Sequence, residues 1–240
     1  MARAADPYET IAGEYYDAER HPTSANFRYL SKRILREALP SIVTPTTDLM
    51  EVGAGDSLVM EVIAELGLPF HSATLTDSSP TMLRYSEHWM SERVELGLAD
   101  AERLPFEANR FDLSVAILGD PYNTPAFWSG MARTTRAGGH VLYTTPSRAW
   151  STAFRGESTT AAFDAETGPD RNVPSFVHDE ATQRQLVEAA GLRVIQVIEA
   201  PLFWLAGQRI SPKLSVLHSP DAAVITAYHA VKTASQGDGS

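Results

Sequence analysis

Cysteine is absent from the 240 residues. That removes disulfides, thiolate nucleophiles and cysteine-bound metal from consideration, and no metal is expected. Long apolar runs are missing too: none reaches the ~20 residues that span a bilayer. The first residues, MARAADPYETIAGEYY, lack the apolar core of a secretory signal. A cytoplasmic protein without membrane association is therefore expected. Positive charge is scarce, with 20 Lys and Arg against 30 Asp and Glu and a net charge of −10. This disfavours nucleic acid as a partner, because binders of a phosphate backbone carry a basic stripe. The densest basic stretch, RYLSKRILRE (Arg28 to Glu37), follows Phe27 and carries Leu30, Ile34 and Leu35 at helical spacing. It reads as the solvated basic face of an amphipathic helix. Internal repeats are lacking, and the polar tail TASQGDGS is expected to fray.

What is present is an alternation of strand and helix patterns. DLMEV reads as a buried strand, and SLVMEVIAELG as a helix ending at Gly67. SATLTD is a second strand, and SSPTMLRYSEHWMSER a helix capped by Ser79 with Pro80 in its first turn. VELGLAD and FDLSVAIL give the third and fourth strands. TPAFWSGMARTTRAGG reads as a helix capped by Thr124, followed by the strand HVLYTTP. DEATQRQLVEAAG is the last helix, with the strands LRVIQVIE and AAVITAYHAV after it. Such alternation argues for an open, mostly parallel sheet with helices on both faces, whose ligands lie beyond the carboxyl ends of the strands. Three stretches stand outside it. Residues 1–40 are expected to form an N-terminal helical lid. Residues 41–240 are expected to form the main domain, with small cap insertions at about 147–177 and 200–220.

The segment TDLMEVGAGDSLVMEV sets Gly53, Ala54 and Gly55 between an apolar strand and a helix, with Glu51 and Asp56 flanking the glycines. A dinucleotide fingerprint would need a third glycine where Leu58 stands. Two carboxylates are also poor neighbours for a pyrophosphate. At about 4 Å, unit charges interact by roughly 4 kcal/mol at an effective dielectric near 20, so the turn favours an ammonium or a sulfonium. Asp77 ends the second strand, where a carboxylate can accept two ribose hydroxyls. Asp100 ends the third, within reach of an exocyclic amine. Three successive strand ends thus carry acids on the ligand-binding rim.

With these motifs in this order, the sequence resembles the class I S-adenosylmethionine-dependent methyltransferases from about Asp48 to Val197. LMEVGAGDS matches the acid and glycine turn of the family's first motif, with Ser57 in place of a usual glycine. TDSSPTML, ADAERLPF, FDLSVAILGD, RAGGHVLYTTP and EAAGLRVIQV match the later motifs. The resemblance implies an α/β, Rossmann-like fold: a seven-stranded, mostly parallel sheet with helices on both faces, an antiparallel last strand and a small cap. It also implies S-adenosyl-L-methionine as cofactor and S-adenosyl-L-homocysteine as product. Glu51 would face the ammonium and Asp77 the ribose, with Ser78 and Met82 beside the adenine. Asp100 and the Ala101 N–H would meet the adenine edge, and Leu118 and Gly119 would pass under the methionine portion. The tyrosine-rich YETIAGEYYDAERHPT resembles the lid of small-molecule members, where Tyr15 and Tyr16 would close over the ligands; helix packing is the alternative.

A positioned nucleophile needs little more than orientation to attack an activated methyl, and a general base only if it starts protonated. Candidates are Asp120 and Tyr122 in GDPYN, and His21 in the lid. Asp120 and His21, each before a proline, can also be read as turn residues, and His178 as a helix-start residue. PLFWLAGQRI reads as a pocket wall or an oligomer contact, and the protein as a monomer or homodimer. A small-molecule methyltransferase acting at oxygen, nitrogen or carbon is the expectation. A non-catalytic cofactor-binding scaffold and a nicotinamide-dependent oxidoreductase are its rivals.

Overall fold

The computed structural model describes residue 8, residues 11–163 and residues 171–233; the polar tail from Ala234 lies outside them. Its elements are α1 (Pro22–Ala38), β1 (Asp48–Val52), α2 (Leu58–Leu66), β2 (Ser72–Asp77), α3 (Pro80–Leu83), β3 (Val94–Leu98), β4 (Phe111–Ala116), α4 (Pro125–Thr134), β5 (Thr135–Pro146), α5 (Arg148–Arg155), β6 (Thr160–Phe163), β7 (Arg171–Pro174), α6 (Glu180–Ala189), β8 (Leu192–Pro201) and β9 (Ala223–Lys232). Seven strands form one sheet in the order β3-β2-β1-β4-β5-β9-β8. β1 to β5 pair in parallel, and β9 runs antiparallel between β5 and β8. This is the Rossmann-like sheet with an antiparallel last strand. The order reverses beside β1, so the crevice expected for a ligand opens at the ends of β1 and β4.

Alternation along β1 divides its side chains between two cores. Leu49 joins Val59, Val62 and Ile63 of α2 and Leu35 of α1. Met50 and Val52 join Phe127, Trp128 and Met131 of α4 and Val187 of α6. Glu51 shares the parity of Leu49 and so faces the α2 side. A third cluster sets Phe27, Leu30 and Ile34 of α1 against Trp150 of α5 and Val224 and Ile225 of β9. α1 is thus packed on the sheet, and residues 8 and 11–20 are the described part of the chain ahead of it.

Three sequence expectations change. The helix expected over SSPTMLRYSEHWMSER is α-helical only at Pro80–Leu83, then tightens into 3₁₀ turns at Arg84–Trp89. Tyr, Ser, His and Trp are weak helix formers, and two of these side chains are used elsewhere. Ser86 Oγ donates to Gly55 O at 2.6 Å and accepts from Ser57 N at 3.1 Å. Tyr85 Oη donates to Ala12 O at 2.6 Å. Second, α4 stops at Thr134 and the strand begins at Thr135, whose Oγ1 donates to Met131 O at 2.7 Å and pairs with Ser114 Oγ at 2.8 Å. Third, the basic face of α1 is paired rather than solvated. Lys32 bonds Glu61 at 2.7 Å and also bonds Glu65, Arg36 bonds Glu65 at 2.8 Å, and Arg33 lies 4.6 Å over the Trp204 ring.

Of the segments outside the alternation, 147–177 contains α5 and the hairpin β6–β7, with 164–170 outside the described residues. Segment 200–220 forms 3₁₀ turns at Leu202–Leu205 and Pro212–Leu214. Trp204 packs with the third core cluster, and Phe203 is exposed. No helix among the described residues is long and apolar enough to cross a membrane.

Candidate active site

Two cavities meet above the carboxyl ends of β1 and β4. One, of about 470 Å³, is lined by Glu51, Gly53, Ala54, Gly55, Asp77, Ser78, Met82, Asp100, Ala101 and Tyr122. The other, of about 490 Å³, takes in His21, Asp120, Trp150, Arg155, Ser175 and Lys213. Tyr8, Tyr15, Leu118 and Pro121 line both. Every candidate named from the sequence lines one cavity or both except Gly119, which is packed behind them. A Cβ at Gly119 would stand 2.5 Å from the Tyr143 ring.

The turn after β1 is left-handed at both glycines, with φ +68° at Gly53 and +48° at Gly55, a region costly to any residue with a Cβ. Aromatic hydroxyls close on it. A Cβ at Gly53 would meet Tyr122 Oη at 2.3 Å, and one at Gly55 would meet Tyr16 Oη at 2.2 Å. Tyr122 donates to Val52 O at 2.9 Å, and Asp56 N donates to Tyr16 Oη at 2.6 Å. Arg28 of α1 lies 4.7 Å over the Tyr16 ring and donates to Asp56 O at 3.0 Å. Tyr122 therefore belongs to the glycine-turn side. Burial, with Asp77, Asp120 and Glu51 nearby, holds its hydroxyl protonated well above the usual phenol range.

The acids differ in environment. Asp77 accepts Gly55 N at 3.0 Å and Ser79 N at 2.9 Å, so it pins the glycine turn to the start of α3. Asp100 is pinned to its own loop by Glu102 N at 3.0 Å and Arg103 Nη2 at 3.0 Å. Glu51 is 1% exposed. Burial pushes its pKa up to about 8, against the opposing effects of a hydrogen bond from Ser57 Oγ and the charge of Arg28. Ser57 also caps α2 by accepting Met60 N at 3.0 Å. The serine in the place of the family's glycine thus holds the acid in place.

The donor set fits a cation bearing a ribose: a buried carboxylate, a strand-end carboxylate and two left-handed glycines around one cavity. A cation beside Glu51 favours its ionised form, so binding should release a proton near neutral pH. S-adenosylhomocysteine, which keeps the ammonium, is expected to release most of one proton at pH 7. Calorimetry in buffers of different ionisation enthalpy reads this, and Glu51→Gln should abolish it. The sign in the ligand-free protein is opposite. With a native pKa of about 8 against 4.5 for the free side chain, Glu51 subtracts stability as pH rises through that interval.

Around the second cavity, Asp120 is buried and accepts the Ser175 hydroxyl. Burial raises its pKa to about 6, while Ser175 and Arg155 act in the other direction. Phe176 N donates to Asp120 O at 2.8 Å. Asn123 locks the loop from below, donating to Phe176 O at 2.9 Å and accepting Trp128 Nε1 at 2.8 Å. Arg155 donates to Ser151 Oγ at 2.9 Å and Ser175 Oγ at 2.7 Å. His21 stands at the N-cap of α1, with Nε2 3.8 Å from Glu14. His178 lies outside this group: Asp179 caps α6, accepting Thr182 N at 2.8 Å. Arg155, Ser175 and Lys213 were not singled out from the sequence. They come from segments with no periodic pattern, and only the fold brings them to Asp120.

Residues 49–139 match the family model described as a methyltransferase domain, and that span holds the glycine turn and all three strand-end acids. The matched span and the shared fold agree with the resemblance to class I S-adenosylmethionine-dependent methyltransferases. Among its relatives, the ubiquinone/menaquinone biosynthesis C-methyltransferase UbiE of Cupriavidus metallidurans is 27% identical over 113 residues, covering 45% of this chain and 46% of that protein. The chain therefore spans about half the length of the curated relatives it matches. Solved structures share the fold. A chain from the Haloferax volcanii complex between the Trm112 methyltransferase activator and a methyltransferase has a TM-score of 0.67 at 12% identity, covering 97% of this chain and 100% of that one. An S-adenosylmethionine-dependent methyltransferase from Mesorhizobium loti has a TM-score of 0.61 at 13% identity, covering 83% and 96%. In the methyltransferase fold seen here, β1, β2 and β3 deliver Glu51, Asp77 and Asp100 to one cavity, and the loop after β4 delivers Asp120 to the next.

Proposed function

We propose that this chain binds S-adenosylmethionine in the acid-lined cavity and transfers its methyl group to a small molecule held in the adjoining one. The carrying observation is the adjacency itself: Leu118 and Pro121 line both cavities, so ligands of the two meet at the end of β4. When bound, the cofactor supplies a methyl already activated on a sulfonium. Glu51 would face its ammonium, Asp77 the ribose hydroxyls, and Asp100 with Ala101 the adenine edge.

The rest falls to the second cavity. Phe27, Trp150 and Val173 bury the acceptor's body and exclude water, and their packing limits its orientations. A bond forms from the acceptor's oxygen, nitrogen or carbon to the methyl carbon, and the sulfur–carbon bond breaks. A nucleophile that starts protonated gives its proton to Asp120, whose pKa of about 6 leaves it largely ionised at neutral pH. His21 stands in the same cavity as a second acceptor of that proton. A cavity of this size suits a metabolite, and the acidic chain a partner other than nucleic acid.

The test is methyl transfer from labelled S-adenosylmethionine to a panel of phenols, amines, acids and enolisable ketones, the last because the UbiE relatives methylate carbon. Micromolar binding of S-adenosylhomocysteine with turnover of one class supports the proposal. Binding without turnover across the panel favours a scaffold, and binding of NAD instead would overturn it.

A further inference from the structure

We propose that the acceptor is a carboxylic acid with a flat apolar body. This rests on the assignment of the second cavity to the acceptor. The two cavities carry opposite charge. Glu51, Asp77, Asp100 and Glu102 line the first against Arg28 alone. Among the described residues, Arg20, Arg155 and Lys213 line the second against Asp120. In a chain of net charge −10, a cavity with three cations to one acid runs against the composition, and a concave site of one sign concentrates the opposite ion.

The cations are not equivalent. Arg20 is held at the rim by Glu14 at 2.8 Å. Among the described residues, Arg155 reaches a carboxylate through Ser175, which donates to Asp120, and its buried Nη1 has no hydrogen-bond partner there. Its charge is thus left without a direct ion pair in a partly dry setting, where an anion is attracted most strongly. Lys213 lines the same cavity, with Nζ 5.8 Å from the Phe154 ring centre. The apolar part of the acceptor is set by the aromatics on the same wall. Trp150 and Phe154 stack at 5.2 Å with planes 12° apart, and Phe27 meets Trp150 edge-on at 4.9 Å. A carboxylate toward Arg155 and Lys213 shares the cavity with Leu118, which also lines the first cavity.

The experiment is equilibrium titration of the full chain with phenylacetate, hydrocinnamate and cinnamate against their primary amides, read by calorimetry and tryptophan fluorescence, with S-adenosylhomocysteine affinity measured separately. At least one acid is expected to bind about tenfold or more tightly than its amide. Arg155→Met should reduce that preference to within about threefold. Lys213→Met, which keeps the backbone oxygen that accepts Trp150 Nε1, should reduce it in part, and Lys32→Met, outside the cavity, should leave it intact. Amides that bind as well as acids, no acid binding at millimolar concentration, or a preference surviving both Arg155→Met and Lys213→Met would overturn the proposal. Because the readout is selectivity between acid and amide, it is independent of methyl transfer. A chain that prefers acids yet binds no S-adenosylhomocysteine would refute the methyltransferase reading and leave standing only the cavity's selectivity for carboxylic acids.

Discussion

Asp120→Asn is expected to slow turnover by about a hundredfold to ten-thousandfold, the range for loss of a positioned proton acceptor, while S-adenosylhomocysteine affinity stays within about twofold. The substitution keeps the shape and the acceptor oxygen for Ser175 and removes only the charge proposed to take the proton. Its setting is specific: the carboxyl is buried against the second cavity, bonded by Ser175. The backbone on either side is held by Phe176 N at 2.8 Å and by the Asn123 network, so the loop should not move. Burial places the Asp120 pKa at about 6, and the proposed role as proton acceptor requires the ionised form. The wild-type rate should therefore rise with pH through that value, and the rise should vanish in the variant. Equal losses in rate and cofactor affinity would make Asp120 a turn residue instead.

Asp77→Ala is expected to weaken S-adenosylhomocysteine binding by about 1.5–3 kcal/mol, the usual worth of hydrogen bonds to a charged group, with little change in stability away from the site. Its carboxylate does two jobs. One oxygen accepts Gly55 N at 3.0 Å and the other Ser79 N at 2.9 Å, so the side chain shapes the glycine turn in addition to its proposed bonds to a ribose. Asp77→Asn separates the two, since the amide oxygen can keep one backbone bond while the charge is lost. Calorimetry that finds both variants at wild-type affinity would remove Asp77 from the cofactor site.

Much of the acid-lined cavity could be read from the chain because its signals are local. A glycine pair after an apolar run, and acids closing successive strands, need only the strand period and the topology rule to bring Glu51, Asp77 and Asp100 together. The acceptor side could not. Arg155 ends a short helix and Ser175 follows a short strand in a stretch without hydrophobic period, so nothing in their neighbourhoods points to Asp120. The overextended helix after Ser79 has the same origin. Ser86 and Tyr85 look like ordinary helix positions until their hydroxyls are found on Gly55 and Ala12. The basic face of α1 was misread because the acids that neutralise it, Glu61 and Glu65, lie on another helix.

Tyr8 and Tyr15 wall both cavities at once. Displacing either ring would widen both compartments together, so under the proposed function traffic through the two would be coupled. Steady-state kinetics should then follow a ternary-complex scheme in which one opening event governs the departure of both products.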